Sequence, residues 1–339
     1  RANSTFDLEL LSSKSDSDVI YAFDEDWAYD GIDPAGYNST DEYIRDYNRS
    51  NIDLRLLSKP ESRLFSNTTS WVIGAYSLNR DETLTRNYTY AAAQFTSELK
   101  QSSTAIYAEL SSDINTNTTI TYGLRTEDWK NQYVDSGNVS SDESEVLWGG
   151  KITIESLISQ NHLTYASIAR GYKAGGVNSD PDVSQANRTF DTEINNTFET
   201  GLKSSLMDDT LATRIAVFYI QRKDQQVKSS YSFQNPDNSF EYQDFLDNAA
   251  EGRNYGVEIE GDLQISDSLN WVFAVGYLKT EFKDYTFIND DGTFNKDGRA
   301  QAHAPEYSIA SNIDFKATQN ISFNIEAEAK DEFYFSDSH

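Results

Sequence analysis

Four consecutive residues, 170–173, bring together side chains that are well suited to holding an anionic group. They lie in the stretch YASIARGYKAGG, residues 165–176. Guanidinium and ammonium groups bind anions, and a tyrosine ring offers a flat face for stacking. Two glycines follow, and glycine tolerates the backbone angles of a sharp bend. The pattern predicts a strand whose end carries the candidate ligand-binding residues Arg170, Tyr172 and Lys173.

Aromatic side chains in polar stretches give a second set of candidate contacts. Their faces stack on hydrophobic chelates and on sugars alike. The set consists of Trp27, Tyr29, Tyr37, Tyr231, Phe233 and Tyr242. Long polar loops are predicted over residues 28–50, 81–97, 173–196, 228–251 and 285–303.

Carboxylates recur at every second position of two stretches and could indicate a cation path or a metal site. A hydrated wall gives the same pattern and is the favoured interpretation. The acidic run at 290–298 lacks the D-x-[DN]-x-[DN]-G spacing of a calcium loop, and the three histidines are scattered. No metal and no cofactor are expected. The recurring carboxylates are Glu258, Glu260, Asp262, Glu326 and Glu328.

Composition excludes several classes of function. The absence of cysteine removes disulfides, cysteine zinc sites, iron–sulfur clusters and thiol nucleophiles. No G-x-S-x-G, H-E-x-x-H or phosphate-loop motif is present, so no enzymatic activity is expected. A net charge of −27 argues against nucleic acid as a partner.

Alternation of apolar and polar residues is the strongest structural signal. In residues 254–265 one parity carries Tyr255, Val257 and Ile259, and the other carries Glu258 and Glu260. Period-2 patterning of this kind places each set on one face of a β-strand. The pattern predicts fourteen strands joined alternately by short and long connections. The predicted strands are 4–13, 18–27, 51–58, 71–80, 98–112, 119–130, 145–158, 162–172, 197–207, 210–225, 252–266, 269–283, 304–317 and 320–335.

Three features favour a membrane β-barrel over a β-sandwich or a solenoid. The predicted strands reach well beyond the usual globular length of about 5–6 residues. Charged residues persist along the polar face, as a wet lumen allows, and short turns alternate with long loops. A mean hydropathy of −0.65 fits, because such a barrel shows lipid only every second residue.

Within this barrel, strand parity predicts that Arg170 faces the lumen. His162 and Thr164 would share its face, whereas Leu163, Tyr165 and Ala169 would face lipid. The favoured interpretation is an ion pair of Arg170 with a lumen carboxylate such as Glu199 or Glu258, and a place for Tyr172 in an aromatic girdle. The alternative is that Arg170, Tyr172 and Lys173 hold an anionic ligand near the outer mouth.

Four stretches resemble the TonB-dependent outer-membrane receptors, in particular those for iron complexes. They are YASIARGYKAGG (165–176), FETGLKSSLMDDTLATRIAVFYIQRKDQQV (198–227), NAAEGRNYGVEIEG (248–261) and GRAQAHAPEYS (298–308). Their order and hairpin spacing match the family, most strongly over 145–335. The resemblance implies a 22-stranded barrel with a plug domain. It suggests that residues 1–339 form the central part of one barrel domain, without the plug or the closing C-terminal strand.

The resemblance also implies a function. It suggests TonB-coupled uptake of a scarce ligand, with a ferric siderophore as the first expectation, in the outer membrane of a Gram-negative bacterium. The expected partners are membrane lipid, the ligand, and the TonB complex acting through the plug. Alternatives are an oligosaccharide or cobalamin as ligand, a passive porin-like barrel, or a secreted all-β carbohydrate-binding protein.

Overall fold

The computed structural model describes residues 5–24, 29, 31–32, 38–180, 183, 187–234, 240–289 and 292–337. Within those ranges, side-chain positions are described except at 230–242, 249–250 and 287–292.

Seventeen β-strands and two short helical turns make up the described fold. The turns lie at Pro60–Ser62 and Leu64–Asn67. No helix within the described ranges has the length and apolar character that crossing a bilayer requires. The strands are β1 (Phe6–Asp24), β2 (Thr40–Ser58), β3 (Thr69–Tyr88), β4 (Phe95–Asp113), β5 (Thr118–Asp135), β6 (Ser140–Ser159), β7 (His162–Lys173), β8 (Gly176–Val177), β9 (Thr189–Phe190), β10 (Glu193–Leu206), β11 (Leu211–Gln234), β12 (Phe240–Ser266), β13 (Leu269–Lys283), β14 (Thr286–Asn289), β15 (Gly292–Asn295), β16 (Tyr307–Thr318) and β17 (Ile321–Lys330).

Thirteen of these strands form one antiparallel sheet, in which each strand pairs with the next of the thirteen, so that β7 pairs with β10 and β13 with β16. The other four form two small ribbons, β8 with β9 and β14 with β15. The all-β prediction is therefore confirmed. The predicted strands 4–13 and 18–27 are one strand, since β1 pairs with β2 without a break through Ser13↔Asn51 and Ser17↔Tyr47. The polar run that resembled a turn is paired strand, and the Ser13 hydroxyl donates to Asn51 Oδ1 over 2.7 Å.

Several predicted loops are largely strand. β2 begins at Thr40, β3 continues to Tyr88, and β12 extends over 27 residues. Cross-strand polar contacts continue in these extensions, as where the Arg86 guanidinium donates to the Asp41 carboxylate over 2.8 Å. These polar segments have the amino-acid composition of loops. A pair of strands that is in contact with water on both sides can nevertheless carry polar residues on both faces. Loops 28–50, 81–97 and 228–251 are therefore shorter than predicted.

The sheet has one apolar and one polar face. Large apolar side chains of adjacent strands lie side by side on the apolar face, as in the register Ile152↔Ile168↔Phe198↔Tyr219. These side chains remain exposed; Ile152, for example, is 54% accessible. An apolar surface turned away from the polar interior is typical of a barrel embedded in lipid.

A small buried core lies at the end of the sheet where the long connections emerge. It consists of Val227, Phe282 and Tyr285. Phe282 is fully buried and its ring lies 4.8 Å from that of Tyr285. Burial raises the pKa of the Tyr285 phenol. Nearby, burial lowers the pKa of the Lys296 ammonium, and the positive charge of Arg299 lowers it further. The core shows that this end is packed structure rather than loose loop.

Candidate functional site

The polar face carries a depression of about 920 Å³ over β2 to β7 and β10. Tyrosines, carboxylates and cations line it, a set that can bind water, polar protein surface or a polar ligand. The polar side chains that line it include Asp53, Arg55, Tyr76, Tyr107, Glu109, Arg125, Glu127, Lys151 and Tyr172.

Ion pairs two residues apart on one strand dominate this surface. Arg125 lies 2.7 Å from Glu127, and Arg55 lies 2.5 Å from Asp53. Residues i and i+2 of a strand share a face, so the two charges meet without help from a neighbouring strand. Lys151 of β6 pairs with Glu109 of β4 over 2.9 Å. These cations are neutralised, so the depression presents fixed dipoles rather than free positive charge.

Tyrosines lie across glycines of the neighbouring strand to reach carboxylates one strand further on. The Tyr107 ring covers Gly74 and its hydroxyl donates to Asp53 over 2.7 Å. The Tyr172 ring packs over Gly149 and its hydroxyl donates to Glu127 over 2.7 Å. A Cβ at Gly74 would lie 2.2 Å from the Tyr107 ring, whereas a Cβ at Gly149 would lie 3.3 Å from the Tyr172 ring and 3.0 Å from the Arg170 carbonyl oxygen. The arrangement fixes the phenols and carboxylates as one network on the wall.

We expect Gly74→Val to lower barrel stability by about 1–3 kcal/mol, since the new side chain displaces the Tyr107 ring. Gly171→Val is the matched control, because a Cβ there meets no atom within 4 Å. Thermal unfolding in detergent, followed by the heat-dependent gel shift of folded barrels, measures both. Equal midpoints for the two variants would contradict the packing role of Gly74.

Arg170 does not face the polar side, which corrects the prediction from parity. Its guanidinium stacks 4.0 Å from the centre of the Trp148 ring, and Trp148 is 50% exposed on the apolar face. The β6–β7 ladder ends at Gly150↔Arg170, and the Arg170 guanidinium donates to the Trp148 carbonyl at that end.

The tyrosines of β7 explain the wrong assignment of faces. The Tyr165 hydroxyl donates to Glu199 over 2.6 Å, so Tyr165 lies on the polar face and Glu199 is bound to it. Tyrosine and alanine do not define a lipid face by themselves. Ile168, exposed on the apolar face beside Ile152, is the better guide to the orientation of the strand.

The remaining predicted site residues lie in different places. Lys173 is exposed at the end of β7, opposite Glu193 in the register. Tyr29 is exposed to 74%. Trp27 and Tyr37 lie outside the described residues. The backbones of Tyr231, Phe233 and Tyr242 belong to β11 and β12, and their side chains lie outside the described set.

The recurring carboxylates lie on a solvated wall, as the favoured interpretation predicted. Glu260 pairs with Arg214 over 3.1 Å, and both side chains are more than half exposed. Glu326 and Glu328 are exposed on β17. Among the described residues, no group of three or more histidines, aspartates or glutamates has a metal-binding arrangement.

Sequence reasoning missed a buried network at the start of β10, where it meets β11. Glu193 is 1% exposed and accepts two bonds from Arg222, of 2.7 and 2.9 Å. The backbone N–H of Gln226 donates to the same carboxylate over 2.8 Å. Gln301 joins the network from the connection that follows β15, accepting from Arg222 over 3.3 Å. These partners are far apart in sequence and share no motif. The strand-internal pairs, by contrast, have the recognisable spacings D-x-R and R-x-E.

Comparison with known proteins identifies relatives of this chain. A family model described as TonB dependent receptor-like, beta-barrel matches residues 1–334. The pesticin receptor of Yersinia enterocolitica is 25% identical over 183 residues, which is 54% of this chain and 24% of the relative. The pesticin receptor of Yersinia pestis matches to the same extent.

Two solved structures share the fold over nearly the whole chain. The ferric yersiniabactin uptake receptor FyuA from Yersinia pestis aligns with a TM-score of 0.76 and 18% identity, covering 99% of this chain and 49% of the receptor. The siderophore receptor PiuA from Acinetobacter baumannii aligns with a TM-score of 0.72 and 13% identity, covering 98% and 53%. The chain thus spans about half the length of these two structures.

Proposed function

This chain belongs to the TonB-dependent receptor β-barrel family of Gram-negative outer membranes, and we propose that it serves there in the energy-coupled uptake of a ferric siderophore. The observation that carries the proposal is the alignment of 99% of the chain with a ferric yersiniabactin uptake receptor. PiuA, which aligns over 98% of the chain, is likewise a siderophore receptor. We assign the chain a transport role and no catalytic one.

Residues 1–339 are proposed to be one part of a 22-stranded barrel whose remaining strands and plug belong to the rest of the protein. The polar face then becomes the lumen wall. Its paired charges would bind water and the polar surface of the plug without a strong net field. The TonB complex would act on this plug, so that energy from the inner membrane drives release of the ligand.

Ligand capture is assigned to the outer rim, where the long connections emerge. Tyr172 and Lys173 lie at the rim end of β7, and Arg170 lies beside them on the lipid side. These three residues and the aromatic residues remain predicted contacts of the ligand. The aromatic residues are Trp27, Tyr29, Tyr37, Tyr231, Phe233 and Tyr242.

Uptake of radiolabelled ferric siderophore by cells that produce the full-length receptor tests the proposal. A strain without the receptor should gain uptake when the gene is supplied, and deletion of TonB should abolish that gain. Uptake of the same magnitude without TonB would identify a passive porin-like barrel. Labelled cobalamin and oligosaccharides in parallel would identify another ligand of the same scaffold. The secreted carbohydrate-binding alternative does not survive the family assignment.

A further inference from the structure

We propose that residues 174–180, 183 and 187–192, between β7 and β10, act as a brace that ties the outer ends of β5 and β6 to an outer arm. The outer arm is the part of β11 and β12 beyond Asp224. Asp224 has a φ of 49° and forms no ladder pair, while the β11–β12 register is the same on both sides of it, at Lys223↔Glu251 and Gln225↔Ala249. Because of the brace, the outer arm and the ends of β5 and β6 move together, and the arm does not open as a separate loop. The inference holds whichever ligand is taken up.

Asn178 joins the brace to the arm through two bonds to one residue. Its Nδ2 donates to the Leu246 carbonyl over 2.8 Å, and its Oδ1 accepts from the Leu246 N–H over 2.8 Å. The Asn178 side chain thereby makes the two backbone hydrogen bonds that a neighbouring strand would make with Leu246 of β12. Asn178 is only 9% exposed, so water competes little for these bonds.

Two amides of the arm make the reciprocal attachment. Asn248 accepts from the Asp191 N–H over 2.7 Å and donates to the Asp191 carbonyl over 3.1 Å. Gln226 is buried, and its Nε2 lies 2.9 Å from the Ala174 carbonyl and 3.0 Å from that of Asp191. The brace is therefore fixed at both of its ends as well as at Asn178.

The brace is also folded internally. Its β8 and β9 pair through Gly176↔Phe190 and Val177↔Thr189. Arg188 is 5% exposed, and its guanidinium donates to the carbonyls of Asp180 over 2.6 Å and Val183 over 2.7 Å. A buried guanidinium enclosed by backbone carbonyls holds the two sides of the segment together.

On its other side the brace contacts β5 and β6. The Tyr133 hydroxyl donates to the Ser179 carbonyl over 3.2 Å, and Tyr133 is 1% exposed. The Thr192 hydroxyl donates to the Glu145 carboxylate over 2.5 Å and accepts from the Gly175 N–H over 3.1 Å. The same segment is therefore bonded to β5, β6, β11 and β12, which immobilises the rim over β7 and β10.

Trypsin applied to intact cells that display the full-length receptor tests the brace, because the bond after Arg188 becomes a substrate only when Arg188 leaves its carbonyls. The wild-type protein should resist cleavage there. The double variant Asn178→Ala, Asn248→Ala should be cleaved at least tenfold faster at that bond. Asp244→Ala is the matched control, since the Asp244 side chain is exposed on the arm and forms its ion pair with Lys228 of the same arm. Its cleavage rate should equal that of the wild type.

Rapid wild-type cleavage after Arg188, or equal rates for the double variant and its control, would overturn the proposal. If the double variant does not reach the membrane, a label pair decides. Residues 1–339 contain no cysteine, so in a receptor freed of any cysteine elsewhere, Thr189→Cys with Lys228→Cys places one spin label on the brace and one on the arm. One narrow distance distribution supports a single body, and a broad or multiple one refutes it.

Discussion

Phe282→Ala is expected to destabilise the outer end of the barrel by about 3–5 kcal/mol, the cost of removing a fully buried aromatic ring. Phe282 is 0% exposed and packs with Val227 and Tyr285 in the core beneath the outer connections. Its backbone also accepts a bond from Gly298 and donates one to Arg299, so the ring anchors the connection that follows β15. The substitution leaves a cavity that the surrounding ladder cannot fill without loosening.

The effect should be local, because the membrane part of the sheet does not share this core. Hydrogen exchange followed by mass spectrometry should show faster exchange in peptides that contain Val227 and Tyr285, with peptides from β3 and β4 unchanged. Phe294→Ala is the matched control, since Phe294 is 41% exposed. An exchange pattern identical in the two variants would show that the core does not stabilise the rim.

Glu193→Ala is expected to lower stability by about 3 kcal/mol, the lower end of the range for breaking a buried ion pair. The lower end applies because the Arg222 side chain remains 25% exposed and regains some hydration. The substitution also leaves the Gln226 N–H without its carboxylate acceptor. Urea unfolding of the purified barrel in detergent measures the loss.

Glu260→Ala, tested in the same measurement, shows whether burial or charge determines the loss of stability. Glu260 pairs with Arg214 over 3.1 Å, but the two side chains are 53% and 73% exposed. Exposed pairs contribute little, about 0–1 kcal/mol, so the unfolding midpoint should hardly move. A loss for Glu260→Ala as large as that for Glu193→Ala would mean that charge, rather than burial, determines the effect.

The strands were predictable because alternation is local. Tyr255, Val257 and Ile259 identified β12 from its own residues, and the hairpin turns followed from short runs such as Asp267–Ser268. The lengths of the outer strands were not predictable in this way. Polar residues at 40–50 and 228–251 have loop composition, and only pairing with the next strand shows that they are extended.

The candidate site was less accessible to prediction, for two physical reasons. Tyrosine occurs on either face of such a sheet, so Tyr165, which donates to Glu199 on the polar face, was assigned to lipid and Arg170 to the wrong side. The Glu193 network joins residues from β10, β11 and the connection after β15, and no spacing along the chain encodes such a meeting. Tyr172 lies in the polar network rather than in an aromatic girdle, and its bond to Glu127 depends on the small volume of Gly149.

The ion pairs within single strands have a consequence for how such a sheet is built and varied. In each of these pairs, the arginine and its counter-charge lie on the same strand. The pairs are Arg125 with Glu127, Arg55 with Asp53, and Arg253 with Glu251. A hairpin carrying such pairs can enter the bilayer before its neighbour arrives without exposing a lone charge. For the same reason, exchange of one whole hairpin between related genes leaves these pairs intact. Stepwise assembly and recombination are thus served by the same two-residue spacing.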